Sequence, residues 1–187
     1  MKTVLIPALA GLIALAPLAT QAHGPTRKKV AETIAINQPP EKVWAVVGNF
    51  GDMSWLPQVA KTEAKGGNTV VDPEDDSKNP TRRLTLKDGA TIDEVLYKHD
   101  PEKMTYSYRI TSVDVKVLPV TNYSSTITVE PAADGRSTIE WRGAFYRGYP
   151  NNDPPPELND EAAIKAVTDL YREALAALKT RLEAPGQ

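Results

Sequence analysis

Two histidines and no cysteine set the limits of the chemistry this chain can do. Without cysteine there is no thiol nucleophile, no thiolate metal site and no CxxCH haem attachment. His23 is the one metal candidate. At a free N-terminus its α-amino group and imidazole can chelate a single Cu(II). A second imidazole would have to come from His99, which precedes Asp100-Pro101 and is expected in an exposed turn. Asp72, Glu74, Asp75 and Asp76 form an acidic stretch, but they lack the glycine and terminal glutamate of a calcium loop. They read as a solvated loop. No resident metal and no cofactor are expected.

Glu94, Glu140 and Arg142 are charged residues inside alternating strand patterns. An inward-facing one can serve as a general acid or as an anchor for a polar ligand. Outward, solvated positions are the ordinary expectation for all three. There is no Ser-His-Asp order, no HExxH and no glycine-rich phosphate loop. Aromatic residues are the richer signal. Trp55, Tyr106, Tyr108, Tyr123, Trp141 and Phe145, with Leu170 and Tyr171, can line an apolar cavity or fill a core. Tyr146, Arg147, Tyr149 and Asp153 lie in or beside a proline-rich run. Tyr and Arg favour interface hot spots, and a stiff polyproline segment loses little entropy on docking. The alternative is a connector that sets the angle of the next element.

The elements that must hold these residues follow from patterning. Residues 1–22 carry Lys2, an apolar run from Val4 to Leu18, and Ala19-Thr20-Gln21-Ala22. This is the order of a secretory signal peptide cut after Ala22. The apolar run is shorter than the ~20 residues needed to span a bilayer. Residues 23–187 then form one domain, long enough to bury a core. Hydrophobic residues are 41% and charged residues 25%, with net charge −2, which argues against nucleic acid or an anionic membrane as partner.

Lys28 to Ile36 alternates as a strand. Pro40 suits the first turn of a helix carrying Val43, Trp44, Val46 and Val47, and Met53–Leu56 adds another turn. Val59–Lys65 and Asn68–Val71 flank Gly66-Gly67 as a hairpin. Arg82–Leu86 and Thr91–Tyr97 flank Lys87-Asp88-Gly89 as a second. Lys103–Val117, Asn122–Glu130 and Ser137–Tyr146 complete the strands. Asn159 or Asp160 caps a last helix with apolar residues from Ile164 to Leu182 at three- and four-residue spacing. The class is α+β: a curved antiparallel sheet around a long C-terminal helix.

This order, with Pro39-Pro40-Glu41-Lys42-Val43-Trp44 and Trp55-Leu56-Pro57, resembles the START/Bet v 1-like, polyketide-cyclase-like superfamily. The resemblance implies a helix-grip fold with two short helices after the first strand and a cavity under the long helix. Gly48–Pro57 and Phe145–Glu157, behind an export signal and a His-Gly-Pro start, look like the MxaD type of periplasmic protein from methylotrophic bacteria. That implies a non-enzymatic accessory role between methanol dehydrogenase and its cytochrome cL. A carrier of a small apolar ligand, and a cyclase- or hydrolase-like enzyme, are the other two readings.

Overall fold

The structure is a computed structural model that describes residues 24–185. The expected signal peptide and His23 lie outside the described residues. Among those described, no helix is long and apolar enough to cross a membrane.

Seven antiparallel strands form one sheet. In chain order they are β1 (Lys28–Ile36), β2 (Val59–Lys65), β3 (Thr81–Leu86), β4 (Thr91–Asp100), β5 (Thr105–Val113), β6 (Val120–Pro131) and β7 (Ser137–Arg147). Their order across the sheet is β1-β7-β6-β5-β4-β3-β2. Helix α1 (Pro40–Val47) follows β1, and α2 (Asp160–Glu183) ends the fold. This is the helix-grip arrangement expected from the sequence.

Alternation decides which face each strand buries. In β7, Ile139, Trp141, Gly143 and Phe145 point to the core while Glu140 and Arg142 point away. In α2, Ala163, Val167, Tyr171, Ala174, Leu175, Leu178 and Leu182 form the buried stripe. Ile164, expected in that stripe, is exposed.

Helix α2 is fastened at both ends. The Asn159 side chain accepts from Ala162 N at 2.8 Å, satisfying a donor that the helix start leaves free. Lys28 pairs with Asp160 at 2.9 Å. At the far end Gln38 donates to the Leu182 carbonyl at 2.8 Å, and the Glu183 carboxylate accepts from Asn37 N at 2.6 Å.

Several expectations need correction. Asn68–Val71 is not a strand, and β2 pairs with β3 instead. Gly66 and Gly67 do turn the chain at φ 90° and 67°, but the segment they open is a long loop. It is pinned by Asn79, whose Oδ1 accepts from Val71 N and Asp72 N and whose Nδ2 donates to Asp72 O. Met53–Leu56 is a single turn closed by Leu56 N→Met53 O at 3.0 Å, not a second helix. The long strand from Lys103 to Val117 is shorter, because turns at Pro101–Met104 and Asp114–Val117 close at its two ends.

Candidate functional site

A cavity of about 250 Å³ lies between the sheet and α2. Strands β3, β4 and β5 supply Leu84, Leu86, Ile92, Glu94, Tyr108 and Ile110. The turn before β2 adds Met53, Leu56 and Gln58. Tyr123, Trp141 and Leu170 close the far wall. Asp169 and Glu173, on the solvent side of α2, mark its mouth with Gln58. Gln58 Nε2 donates to Glu173 at 2.8 Å. A larger hollow of about 770 Å³ lies elsewhere, lined by Lys98, Lys103, Glu130, Glu140 and Arg142. It is a polar groove, and small-molecule sites are mostly apolar with few polar groups.

Of the eight residues expected to face a cavity, Tyr108, Tyr123, Trp141 and Leu170 line it. Trp55, Tyr106, Phe145 and Tyr171 pack behind that wall. Trp141 and Tyr171 stack with centroids 4.2 Å apart, and Trp55 meets Trp141 edge-on at 5.5 Å. Their polar ends are joined. Trp141 Nε1 donates to Ser125 Oγ at 2.7 Å, and Ser125 Oγ donates to the Arg142 carbonyl at 2.7 Å. The Tyr171 hydroxyl bonds with those of Ser125 and Tyr123. Burial pushes the Tyr108, Tyr123 and Tyr171 hydroxyls well above the usual tyrosine range, so they stay protonated at neutral pH.

The polar end of the cavity is Glu94, half of a pair that sequence reading did not assemble. Glu94 faces inward, against the outward expectation, and is 4% exposed. Arg82, unremarked in the sequence, is directly opposite it on β3 and is 2% exposed. Arg82 Nε donates to Glu94 Oε2 at 2.5 Å, and Arg82 Nη1 donates to the Phe50 carbonyl at 2.8 Å. The guanidinium sits over the rings of Phe50 (4.3 Å) and Tyr108 (4.8 Å), a cation–π arrangement. Burial raises the Glu94 carboxyl, and Arg82 offsets part of that rise. Burial also pulls Arg82 down, but Glu94, Tyr106 and Tyr108 outweigh it, so the guanidinium ends above its ordinary value. A neutral Glu94 would leave Arg82 an uncompensated buried cation, so Glu94 serves as its counter-ion.

A usable signal was present. The three-residue turn Lys87-Asp88-Gly89 closes with Leu86 N→Ala90 O, with Gly89 at φ 88°. That register sets Arg82 opposite Glu94 on one face and Arg83 opposite Asp93 on the other. Arg83 and Asp93 pair at 2.6 Å in partial contact with solvent.

The remaining candidates are dispersed. Glu140 and Arg142 face outward and pair with each other at 2.9 Å. His99 is half-buried rather than exposed: its Nε2 lies 2.9 Å from the Gly48 carbonyl oxygen, and its ring meets Trp44 and Tyr106. In the acidic loop, Lys78 pairs with Asp72 and Asp75, and Arg109 pairs with Asp76. Among the described residues no cluster of three or more His, Cys, Asp or Glu could hold a metal.

The Arg147 side chain is 11% exposed. Its guanidinium donates to the carbonyls of Tyr149 at 2.8 Å and Asn151 at 2.7 Å. Arg27 lies over the Tyr146 ring, Tyr149 is half-buried, and Asp153 is exposed at φ 54°.

Comparison with known proteins places this geometry. No curated protein matches the chain by sequence. A protein of Bacillus thuringiensis is 29% identical, with 84% of this chain matched to 100% of that one at a TM-score of 0.68. The protein XoxI of Bacillus cereus is 30% identical, over 82% of this chain and 94% of that one, at 0.67. Norcoclaurine synthase of Thalictrum flavum, in complex with dopamine and hydroxybenzaldehyde, is 16% identical over 97% of this chain and 99% of its own, at 0.59. That last likeness is one of fold. The family model for polyketide cyclase / dehydrase and lipid transport matches residues 27–183. The chain thus belongs to the polyketide cyclase / dehydrase and lipid transport family.

Proposed function

We propose that this protein works by binding rather than by catalysis, and that it is an exported accessory of methanol oxidation that promotes the meeting of methanol dehydrogenase with its cytochrome cL. The cavity carries the binding reading. Its walls are apolar, its innermost charged side chain is already neutralised by Arg82, and its tyrosines hold their protons. Glu94 is held there as the counter-ion of Arg82, and the tyrosine hydroxyls keep their protons at neutral pH, an arrangement better suited to holding a ligand than to general acid–base work. Filling the cavity with Leu170→Trp tests this. Native mass spectrometry of protein from its own host is expected to show a bound mass that the variant loses. Absence of any bound mass from the unaltered protein counts against a ligand.

The methanol setting rests on the resemblance of residues 48–57 and 145–157 to the MxaD type. Both segments are built features. Met53 and Leu56 form cavity wall, and Arg147 holds the proline-rich run in one shape. A preshaped segment with exposed Asn151, Asn152 and Asp153 suits docking, since little ordering cost remains. The test is cytochrome reduction by methanol dehydrogenase with and without the purified protein. A rise in turnover or apparent affinity is expected; no change in either overturns the accessory role.

A further inference from the structure

Glu94 has two carboxylate oxygens, and only one is used by the protein. Oε2 accepts from Arg82 Nε, and no hydrogen bond to Oε1 is found among the described residues; in the same pair Arg82 Nη2 is buried without an acceptor. The side chain is 5% exposed and lines the cavity. A carboxylate oxygen that the protein leaves open beside an apolar space can accept from the donor of a guest.

We infer that the cavity selects a small neutral molecule with one hydroxyl donor on an apolar body, an alcohol or a phenol, whose head donates to Glu94 Oε1. This rests on the reading of the cavity as a ligand site and goes further by naming the ligand's chemistry.

Size and charge give the same answer. The cavity of about 250 Å³ exceeds the ~150 Å³ void that holds benzene in an engineered protein, so one ring with a short substituent fits. Among the described residues, carboxylates are the only charged groups that line it: Glu94 inside, Asp169 and Glu173 at the mouth. An anionic head would meet like charge at both ends. A cationic head at Glu94 would put a second positive charge against a carboxylate that Arg82 already balances, and an uncompensated buried charge is strongly disfavoured. A hydroxyl completes the carboxylate without adding charge. Met53, Leu84, Leu86, Ile92 and Leu170 surround the apolar remainder.

The test uses four probes of one shape: p-cresol, p-xylene, p-toluate and 4-methylbenzylammonium. Binding to the purified protein is followed by titration calorimetry and by the Glu94 carboxyl carbon resonance. p-Cresol is expected to bind on the order of tenfold or more tighter than p-xylene, with both charged probes weaker than p-xylene. The Glu94 resonance moves with p-cresol and not with p-xylene. In the double variant Arg82→Met/Glu94→Leu, p-xylene binding is retained and the preference for p-cresol is lost. Equal binding of p-cresol and p-xylene, or tightest binding of either charged probe, overturns the head-group assignment and leaves the cavity reading intact. Failure of all four probes to bind overturns both. The resonance test needs no variant, so it decides the matter even where the double variant does not fold.

Discussion

The missing side chain of Gly143 is the space that the Tyr171 hydroxyl fills. A Cβ built on Gly143 runs into that oxygen and lies 3.4 Å from the Tyr123 ring. Gly143 is on β7 and Tyr171 on α2, so this fit helps set how closely the helix approaches the sheet. Gly143→Ala is expected to cost about 1–3 kcal/mol, as overpacking does, and Tyr171→Phe should recover part of the loss in the same background. Urea denaturation of the two single variants and the double closes the cycle. Simple additivity, or no loss on Gly143→Ala, refutes the relationship.

The Arg82–Glu94 pair makes an asymmetric prediction. Arg82→Met alone or Glu94→Leu alone leaves a buried charge without its partner and is expected to cost about 3–5 kcal/mol. The double replacement restores neutrality and should lie well above either single variant. Thermal and chemical denaturation of all three will show it. Singles no worse than the double would mean that the pair is not buried in solution.

Alkaline stability follows from the tyrosines. Burial raises Tyr108, Tyr123 and Tyr171 in the folded protein above the ordinary value near 10. Above that pH the unfolded chain releases protons that the folded one keeps. The stabilisation is therefore complete below about pH 10 and is lost as pH climbs further. Each such tyrosine steepens the loss by about 1.4 kcal/mol per pH unit. Denaturation from pH 8 to 11.5 should show the slope, and Tyr123→Phe should lessen it.

Arg147 separates the two parts of the proposed function. Arg147→Ala removes both bonds to the proline-rich run, which should cost about 1–2 kcal/mol and speed amide exchange across residues 149–158. Ligand binding in the cavity should be unaffected, because Arg147 does not line it. Any enhancement of cytochrome reduction should fall. Unchanged enhancement despite faster exchange would place the docking surface elsewhere.

Much of the fold was legible because the signals were local. Alternation in β1 and β7, Pro40 at the start of α1, and Asn159 at the cap of α2 each act within a few residues. Asn68–Val71 misled because Gly66-Gly67 is a hairpin signature whose neighbour was the wrong strand. The pairing of β2 with β3 skips fifteen residues, and what holds the intervening loop is Asn79, one side chain with three backbone partners. The aromatic residues were visible as a group, but which faced open space and which faced each other depended on where α2 sits. Glu94 reads as outward from its strand pattern, yet it is buried. A charge in an alternating strand reads as outward unless its partner is known, and the partner was twelve positions earlier, across a turn.

The fastening of α2 at both ends has a kinetic consequence. A helix held by Asn159 and Lys28 at one end and by Asn37 and Gln38 at the other is expected to stay on the sheet while a guest enters. Passage into the interior then depends on rotamer hops of Leu170, Gln58 and Glu173, which are fast compared with the detachment of a helix. Uptake and release should be rapid and nearly indifferent to global stability. On the proposed binding reading, such a protein would equilibrate with its surroundings instead of sequestering cargo, and its occupancy would follow the concentration outside.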